Sequence, residues 1–466
     1  MKQMKKMKPM LIVLLTVVLM IISACSGNNG GNTPATEAPA SETPAETAAP
    51  TEEPEPPAAD LGGREIRISH WWDATPVGDS EADELARERI KKVEEKYNVK
   101  IKYLNTEYWS TSEKLSSSVM AGDPFAEIVR LPDGFIWGLM HGGFLTPLDD
   151  ALNNTRIAQD VVESMRFGGE NVFGLEGWYN ANDSGMYYNK RIFKEAGLKD
   201  PQQLMDEDNW NWTTMLDAAK KLTVDNNGDG KVDQYGLAGA HYIFSEQLIT
   251  SNGGLIYDEV NKKASFDSPE SMDALNFLYE LYNTHKVVKE NEGNDWEDPA
   301  KYFAEGNIAM YPGGLWEIEG RLQDKMKDEW GYVYFPKAPN ATTYTDPLGQ
   351  TAAYVIPKGV KDAEAIVKIW EELQDFDNYE ANRKLWLENV LPDETSIANA
   401  MNEAGKVQRV IGGRFGGLGV KEQLDSVTGK FIKGEITPST GVAQVIGPAQ
   451  AASEKVLRGE IEEKKE

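Results

Sequence analysis

The sequence predicts an α/β protein of two lobes, and two observations predict it. Strand-like and helix-like runs alternate along most of the chain, and the order strand, helix, strand implies a parallel sheet with helices on both faces. The chain has 466 residues, about three times the ~150 of a single domain, so it can bury two sizeable cores.

Taken in order, Glu65 to Ser69 alternates polar and apolar side chains, as a half-buried strand does. Residues 81–97 follow with Leu85, Ala86, Ile90, Val93 and Tyr97 on one helical face. Val99 to Leu104 and Ala126 to Leu131 read as further strands, and helical patterns recur at 213–222, 269–285, 361–376 and 379–388.

Composition removes several functions. The chain carries 48 Lys and Arg against 75 Asp and Glu, a formal charge of -27. Binding to nucleic acid needs positive surface that displaces phosphate counterions, and adhesion to anionic lipid needs the same sign; neither is expected. One cysteine excludes a disulfide framework or a multi-cysteine metal site. His70, His141, His241 and His285 lie far apart, with no metal-ligand spacing.

The amino terminus reads as an address. Lys2, Lys5, Lys6 and Lys8 precede residues 10–22, which are apolar but for Thr16. A basic flank before a short apolar run is the pattern of a secretory signal, and the run is shorter than the ~20 residues of a membrane-spanning helix. It ends Ile22-Ser23-Ala24-Cys25-Ser26, which resembles the bacterial lipobox. The expectation is a signal over 1–24 and lipidation at Cys25. Residues 26–60 hold seven Pro, eight Ala, seven acidic residues and no Val, Ile, Leu, Phe, Tyr or Trp. Such a segment has no apolar surface to offset its ordering entropy, so 25–60 reads as a disordered tether.

Within the body, Met186–Leu198 (MYYNKRIFKEAGL) resembles a segment of the family 1 extracellular solute-binding proteins, the carbohydrate receptors of ABC importers, whose type is the maltodextrin-binding protein. Other matching stretches follow the family's order: Ala121–Pro124, Gly143–Asp149 (GFLTPLD), Trp210–Thr213, Phe303–Tyr311 (FAEGNIAMY), Ala353–Gly359, Gly434–Ile436 and Val456–Gly459. The resemblance covers essentially all of 65–462. It implies a two-lobed, periplasmic-binding-protein-like (type II) clamp whose chain passes between lobes near 176–183, 331–334 and 374–380. Lobe 1 is then 61–178 and 334–376, and lobe 2 is 179–333 and 377–466. It further implies an oligosaccharide ligand between the lobes, an ABC permease and its ATPase as partners, a monomer on the extracellular face of the membrane, and no enzymatic activity.

A sugar offers hydroxyls at its edges and C–H patches on its faces, so its receptor needs aromatic plates and short polar groups. Loops after strands supply candidates. Trp71, Trp72 and Asp73 follow the first strand, Tyr108 and Trp109 the second, Asp133 and Trp137 the third. Asn182 and Asp183 lie at the first crossing, Tyr242 follows a strand at 235–237, and Trp296 lies in an acidic loop. Trp316 follows a strand and a Gly-Gly turn; in the family a Trp at the matching position stacks on sugar. Glu317 beside it is a hydroxyl acceptor, and Arg414 sits in a Gly-rich loop. Trp330, Trp370 and Trp386 read as core. Asp225, Asn227, Asp229, Lys231 (by its carbonyl) and Asp233 match the first nine places of an EF-hand loop. Place 12 is Gly236 rather than Glu, and the expectation there is a structural calcium ion. Two alternatives stay open from residues alone: a secreted glycoside hydrolase or lyase, and a receptor for a non-sugar solute.

Overall fold

The structure, a computed structural model, describes residues 58–78, 81–166, 169–177, 183–346, 352–409 and 419–460. The signal, Cys25, most of the tether, Asn182 and Arg414 lie outside these residues.

The first sheet is built from β1 (Arg64–His70), β2 (Val99–Asn105), β3 (Ile128–Pro132) and β4 (Gly174–Leu175), with helices α1 (Glu81–Tyr97), α2 (Thr111–Met120) and α3 (Asp133–His141) between them. Acidic Glu81, Asp83 and Glu84 in the first turn of α1 complement its dipole. The helix ends at Asn98, whose φ of 49° is a left-handed stop. Leu85 is exposed, so α1 buries its C-terminal half, through Val93 and Tyr97.

The second sheet takes β5 (Ser184–Asn189), then, past α4 (Trp212–Leu222), β6 (Tyr235–Ala238). Helices α5 (His241–Ser251) and α6 (Pro269–Asn283) come next, followed by β7 (Val288–Lys289), β8 (Ile308–Gly314) and β9 (Trp330–Tyr334). Then β10 (Tyr344–Asp346) leaves this sheet, and β11 (Ala352–Val355) joins the first, followed by α7 (Ala363–Leu373). The chain closes with α8 (Tyr379–Val390), β12 (Val407–Arg409), α9 (Val420–Ile432) and α10 (Pro438–Leu457). The strand orders are β2-β1-β3-β11-β4 and β9-β5-β8-β6-β7, and β10 pairs separately with β12.

Two expectations are corrected. The sheets are mixed rather than parallel: β11 runs antiparallel to β3 and β4, and β5 antiparallel to β8 and β9. Among the described residues no helix separates β4 from β5 or β10 from β11, so neither strand enters through the crossover helix that a parallel pair requires. The second passage also falls later than 331–334. All of β9 pairs with β5, so the chain returns to the first sheet only between Asp346 and Ala352.

The register of the first sheet is what positions the site. β1 and β2 pair in parallel from Arg64↔Val99 to His70↔Asn105, and Ser69 pairs with Val129 of β3. The carboxyl ends of the three strands are therefore level, and the residues that follow leave the sheet side by side.

Candidate functional site

At this level edge the first sheet carries a continuous run of rings. Trp72 meets Trp71 edge-on at 5.1 Å between centroids, Trp71 meets Tyr108 at 5.5 Å, and Tyr108 meets Trp109 at 4.9 Å and Phe135 at 5.7 Å. Edge-to-face contacts at these distances are the favoured geometry of aromatic quadrupoles. Beneath Trp72 lies buried His70, 4.5 Å from its ring and also against Tyr103 and Tyr354. The Arg130 guanidinium lies 4.8 Å from the Tyr354 ring and under 6 Å from both Trp71 and Trp72, and it pairs with Glu176 at 3.7 Å.

His70 is pushed from its ordinary 6.5 down to about 3, first by burial and second by the Arg130 charge. It is neutral throughout the physiological range. The unfolded chain takes up this proton below about pH 6.5 and the folded one does not, so the stability His70 contributes falls between about pH 6.5 and about 3. By pH 5 the loss is roughly 2 kcal/mol. His141 and His241 are lowered in the same direction, both chiefly by burial. The expected result is a His70→Phe variant whose Tm falls less steeply than wild type from pH 7.5 to 5; equal slopes would remove His70 from the account.

The second sheet carries a different device. Trp316 and Trp296 stack with centroids 5.1 Å apart and planes inclined by 14°. Trp316 follows Gly313-Gly314 at the end of β8. A Cβ on Gly314 would lie 2.4 Å from the Trp316 Nε1, and one on Gly313 2.7 Å from a Glu317 carboxylate oxygen. The two glycines therefore let both side chains fold back over the strand. The Arg321 guanidinium lies 4.3 Å from the Trp296 ring centroid and 5.0 Å from that of Trp316. Tyr242, in the first turn of α5, is half-buried near Arg321, Asp295 and Lys421, and burial pushes its phenol up to about 12.

Exposure separates plates from core. Among the described residues the exposed tryptophans are Trp72 (42%), Trp109 (66%), Trp296 (43%) and Trp316 (51%), two beside each sheet. A large apolar side chain left in water in such a cluster marks a surface kept for a ligand.

The other expected residues are placed as follows. Trp137 is buried, stacked on His141 and edge-on to Tyr257, because α3 turns it inward; it is core, not plate. Glu317 is 3% exposed. Its carboxylate accepts from the Tyr311 hydroxyl, the Gly314 amide (2.9 Å) and Arg321 (3.0 Å), so it is occupied within the protein and does not face hydroxyls in a cleft. Asp183 is tied to Arg383 at 2.9 Å. Asp73 is exposed, and hydrogen bonds from the Thr75 hydroxyl first and the Thr75 amide (3.0 Å) second hold its carboxyl below the usual range. Asp133 opens α3. Trp330 and Trp370 are buried, whereas Trp386 is half-buried and donates to Glu319 at 3.0 Å.

Three site residues were not anticipated. Phe135 carries no signal beyond its ring. Arg130 does carry one, being a charge between apolar neighbours in β3. Arg321 lies four residues after Glu317, the spacing of a helical ion pair.

In loop 225–233, oxygens of Asp225, Asn227, Asp229 and Asp233 accept the backbone amides of all six residues 226–231. Among the described residues no three His, Cys, Asp or Glu are gathered in a group able to hold a metal ion. In the folded loop these side-chain oxygens hold the backbone in one tight turn.

Two five-stranded mixed sheets in one chain give the two-lobed fold shared by solved solute-binding proteins. The chain belongs to the bacterial extracellular solute-binding protein family, which matches residues 75–378. It is 26% identical over 275 residues to the arabinooligosaccharide-binding protein of Halalkalibacterium halodurans, covering 56% of this chain and 55% of that protein. It is 28% identical over 215 residues to the multiple sugar-binding protein of Streptococcus mutans, covering 43% and 47%. The chain thus spans about half the length of the curated relatives it matches. In fold it is similar to the maltose/maltodextrin-binding domain of Bdellovibrio bacteriovorus bound to maltotriose, with a TM-score of 0.57 at 19% identity over 84% of this chain and 100% of that one.

Proposed function

We propose that this protein is a non-enzymatic receptor that binds a sugar, in particular an oligosaccharide, between its lobes and delivers it to an ABC importer. Cys25 carries the lipid that holds it on the outer face of the membrane, the tether gives it reach, and it works as a monomer with a permease and its ATPase. The observation that carries this reading is the pair of exposed tryptophans beside each sheet. Indole faces match the C–H faces of sugar rings. A ligand that touches both lobes only when they close shifts the population toward the closed form.

The charges near the plates support an uncharged ligand. Arg130, against Trp71 and Trp72, pairs with Glu176 (3.7 Å), and Arg321, against Trp296 and Trp316, pairs with Glu317 (3.0 Å). Each guanidinium is already neutralised by the protein, which leaves hydroxyl and ring-face contacts to supply affinity.

Thermal melts with maltotriose and arabinotriose test the reading. Ligand at a hundred times Kd stabilises the folded state by about 2.7 kcal/mol, so Tm is expected to rise by several degrees with at least one oligosaccharide. Reducing ends are expected not to accumulate on prolonged incubation. Flat melts across the sugars, or steady release of reducing ends, would overturn the receptor.

A further inference from the structure

We propose that Arg321 is a positioning residue that clamps Trp296 and Trp316 into one rigid plate before any ligand arrives. The inference rests on the sugar-receptor reading and concerns the same site.

The two indoles come from different parts of the chain. Trp316 sits in a short 3-10 turn directly after β8, while Trp296 belongs to the exposed segment 292–297. Two half-exposed rings on separate segments have no local reason to stay parallel. Arg321 connects them in three ways. Its guanidinium lies against both rings, at 4.3 and 5.0 Å. Its Nη1 donates to the Trp296 carbonyl at 2.8 Å, which ties down the backbone of that segment. The same nitrogen donates to Glu317 at 3.0 Å, and Nη2 lies 3.7 Å from Glu297.

The anchor under this clamp is buried. Glu317 is held by the Gly314 amide and by the hydroxyl of Tyr311, which is itself 4% exposed and stacked on Tyr187. A line of contacts therefore runs from the core of the second sheet through Tyr311 and Glu317 to Arg321, and from there to both plates. A planar fork can lie against both rings and donate to a carbonyl and a carboxylate at once, a geometry that an ammonium on a flexible stem does not hold. The function of the clamp is preorganisation. A ligand that meets rings already parallel does not bear the entropy of ordering them.

Arg321→Lys is the first test, because it retains the charge that Glu317 requires. If Arg321 only neutralised Glu317, this variant would behave as wild type. The expected result is a Tm close to wild type, loss of the circular-dichroism couplet of two stacked indoles in the ligand-free protein, and affinity for the better-binding trisaccharide weakened about ten-fold. Trp296→Ala serves as the spectral reference for an unpaired Trp316.

Removing the cation alone would leave Glu317 buried without its partner, which is strongly destabilising. The second variant therefore combines Arg321→Met with Glu317→Gln, and the same loss of the couplet is expected. A couplet preserved in both variants, or an Arg321→Lys affinity equal to wild type while Trp316→Ala abolishes binding, overturns the clamp. If neither maltotriose nor arabinotriose moves the wild-type Tm, the receptor reading fails, and the couplet still decides the clamp on the free protein.

Discussion

Replacing Trp316 by alanine is expected to weaken oligosaccharide binding by on the order of a hundred-fold while lowering Tm by only a degree or two. The asymmetry follows from exposure. Half of this side chain is in water, so its removal forfeits little of the folded state's burial. The exposed half is the face a sugar ring would cover, and a tryptophan that becomes fully desolvated on binding is the typical hot spot of an interface. Trp72→Ala is expected to act in the same direction but with a larger stability cost, because the Trp72 ring rests on buried His70. Isothermal titration of each variant with the trisaccharide that most raises the wild-type Tm gives the comparison. A Trp316→Ala protein that binds as well as wild type would remove the second sheet's plate from the site, and with it the main support for a ligand gripped from both sides.

What the sequence disclosed and what it withheld divide along the range of the interactions involved. Trp71, Trp72, Tyr108 and Trp109 were legible because a ring placed just after a strand goes where the strand end goes, and strand alternation is a local pattern. Trp316 was legible for the same reason, reinforced by Gly313-Gly314. Glu317 was misread from the same few residues. In a 3-10 turn successive side chains point about 120° apart, so a neighbour of an outward Trp can face the core, and Glu317 does. Trp137 failed in a similar way: the first turn of α3 lies at the site edge and the second faces the interior.

In loop 225–233 one oxygen spacing serves two uses: it suits a cation, and it caps the amides of residues 226–231. The reversed strands and the Arg321 clamp were illegible because each depends on partners brought together from distant parts of the chain. No local pattern marks β11 as antiparallel to β3, or sets Trp296 beside Trp316.

The opposite balance of effects is expected at Asp346, where the passages between the sheets converge. Asp346 is 1% exposed at the end of β10, and the second passage begins after it. Its Oδ2 accepts the amide of Asp183 at 3.1 Å and its Oδ1 the hydroxyl of Ser184 at 2.5 Å, both where the first passage ends and β5 begins. The Asp183 carboxylate in turn receives Arg383 of α8, the helix that follows the third passage. One buried carboxylate thus ties two connections together directly and a third at one remove. Asp346→Ala strands the buried Ser184 hydroxyl and the Asp183 amide, a loss of roughly 3 kcal/mol. Tm is expected to fall by several degrees. Affinity measured well below that Tm is expected to change by only a few-fold, since the plates of both sheets are untouched. Asp346→Asn should recover part of the stability, because its carbonyl oxygen can keep one of the two bonds. The crossed pattern is the discriminating result: Trp316→Ala loses ligand and keeps stability, whereas Asp346→Ala loses stability and keeps ligand. If Asp346→Ala instead abolished binding at unchanged Tm, the carboxylate would belong to the ligand site, and the separation between the plates and the connections that carry them would have to be redrawn.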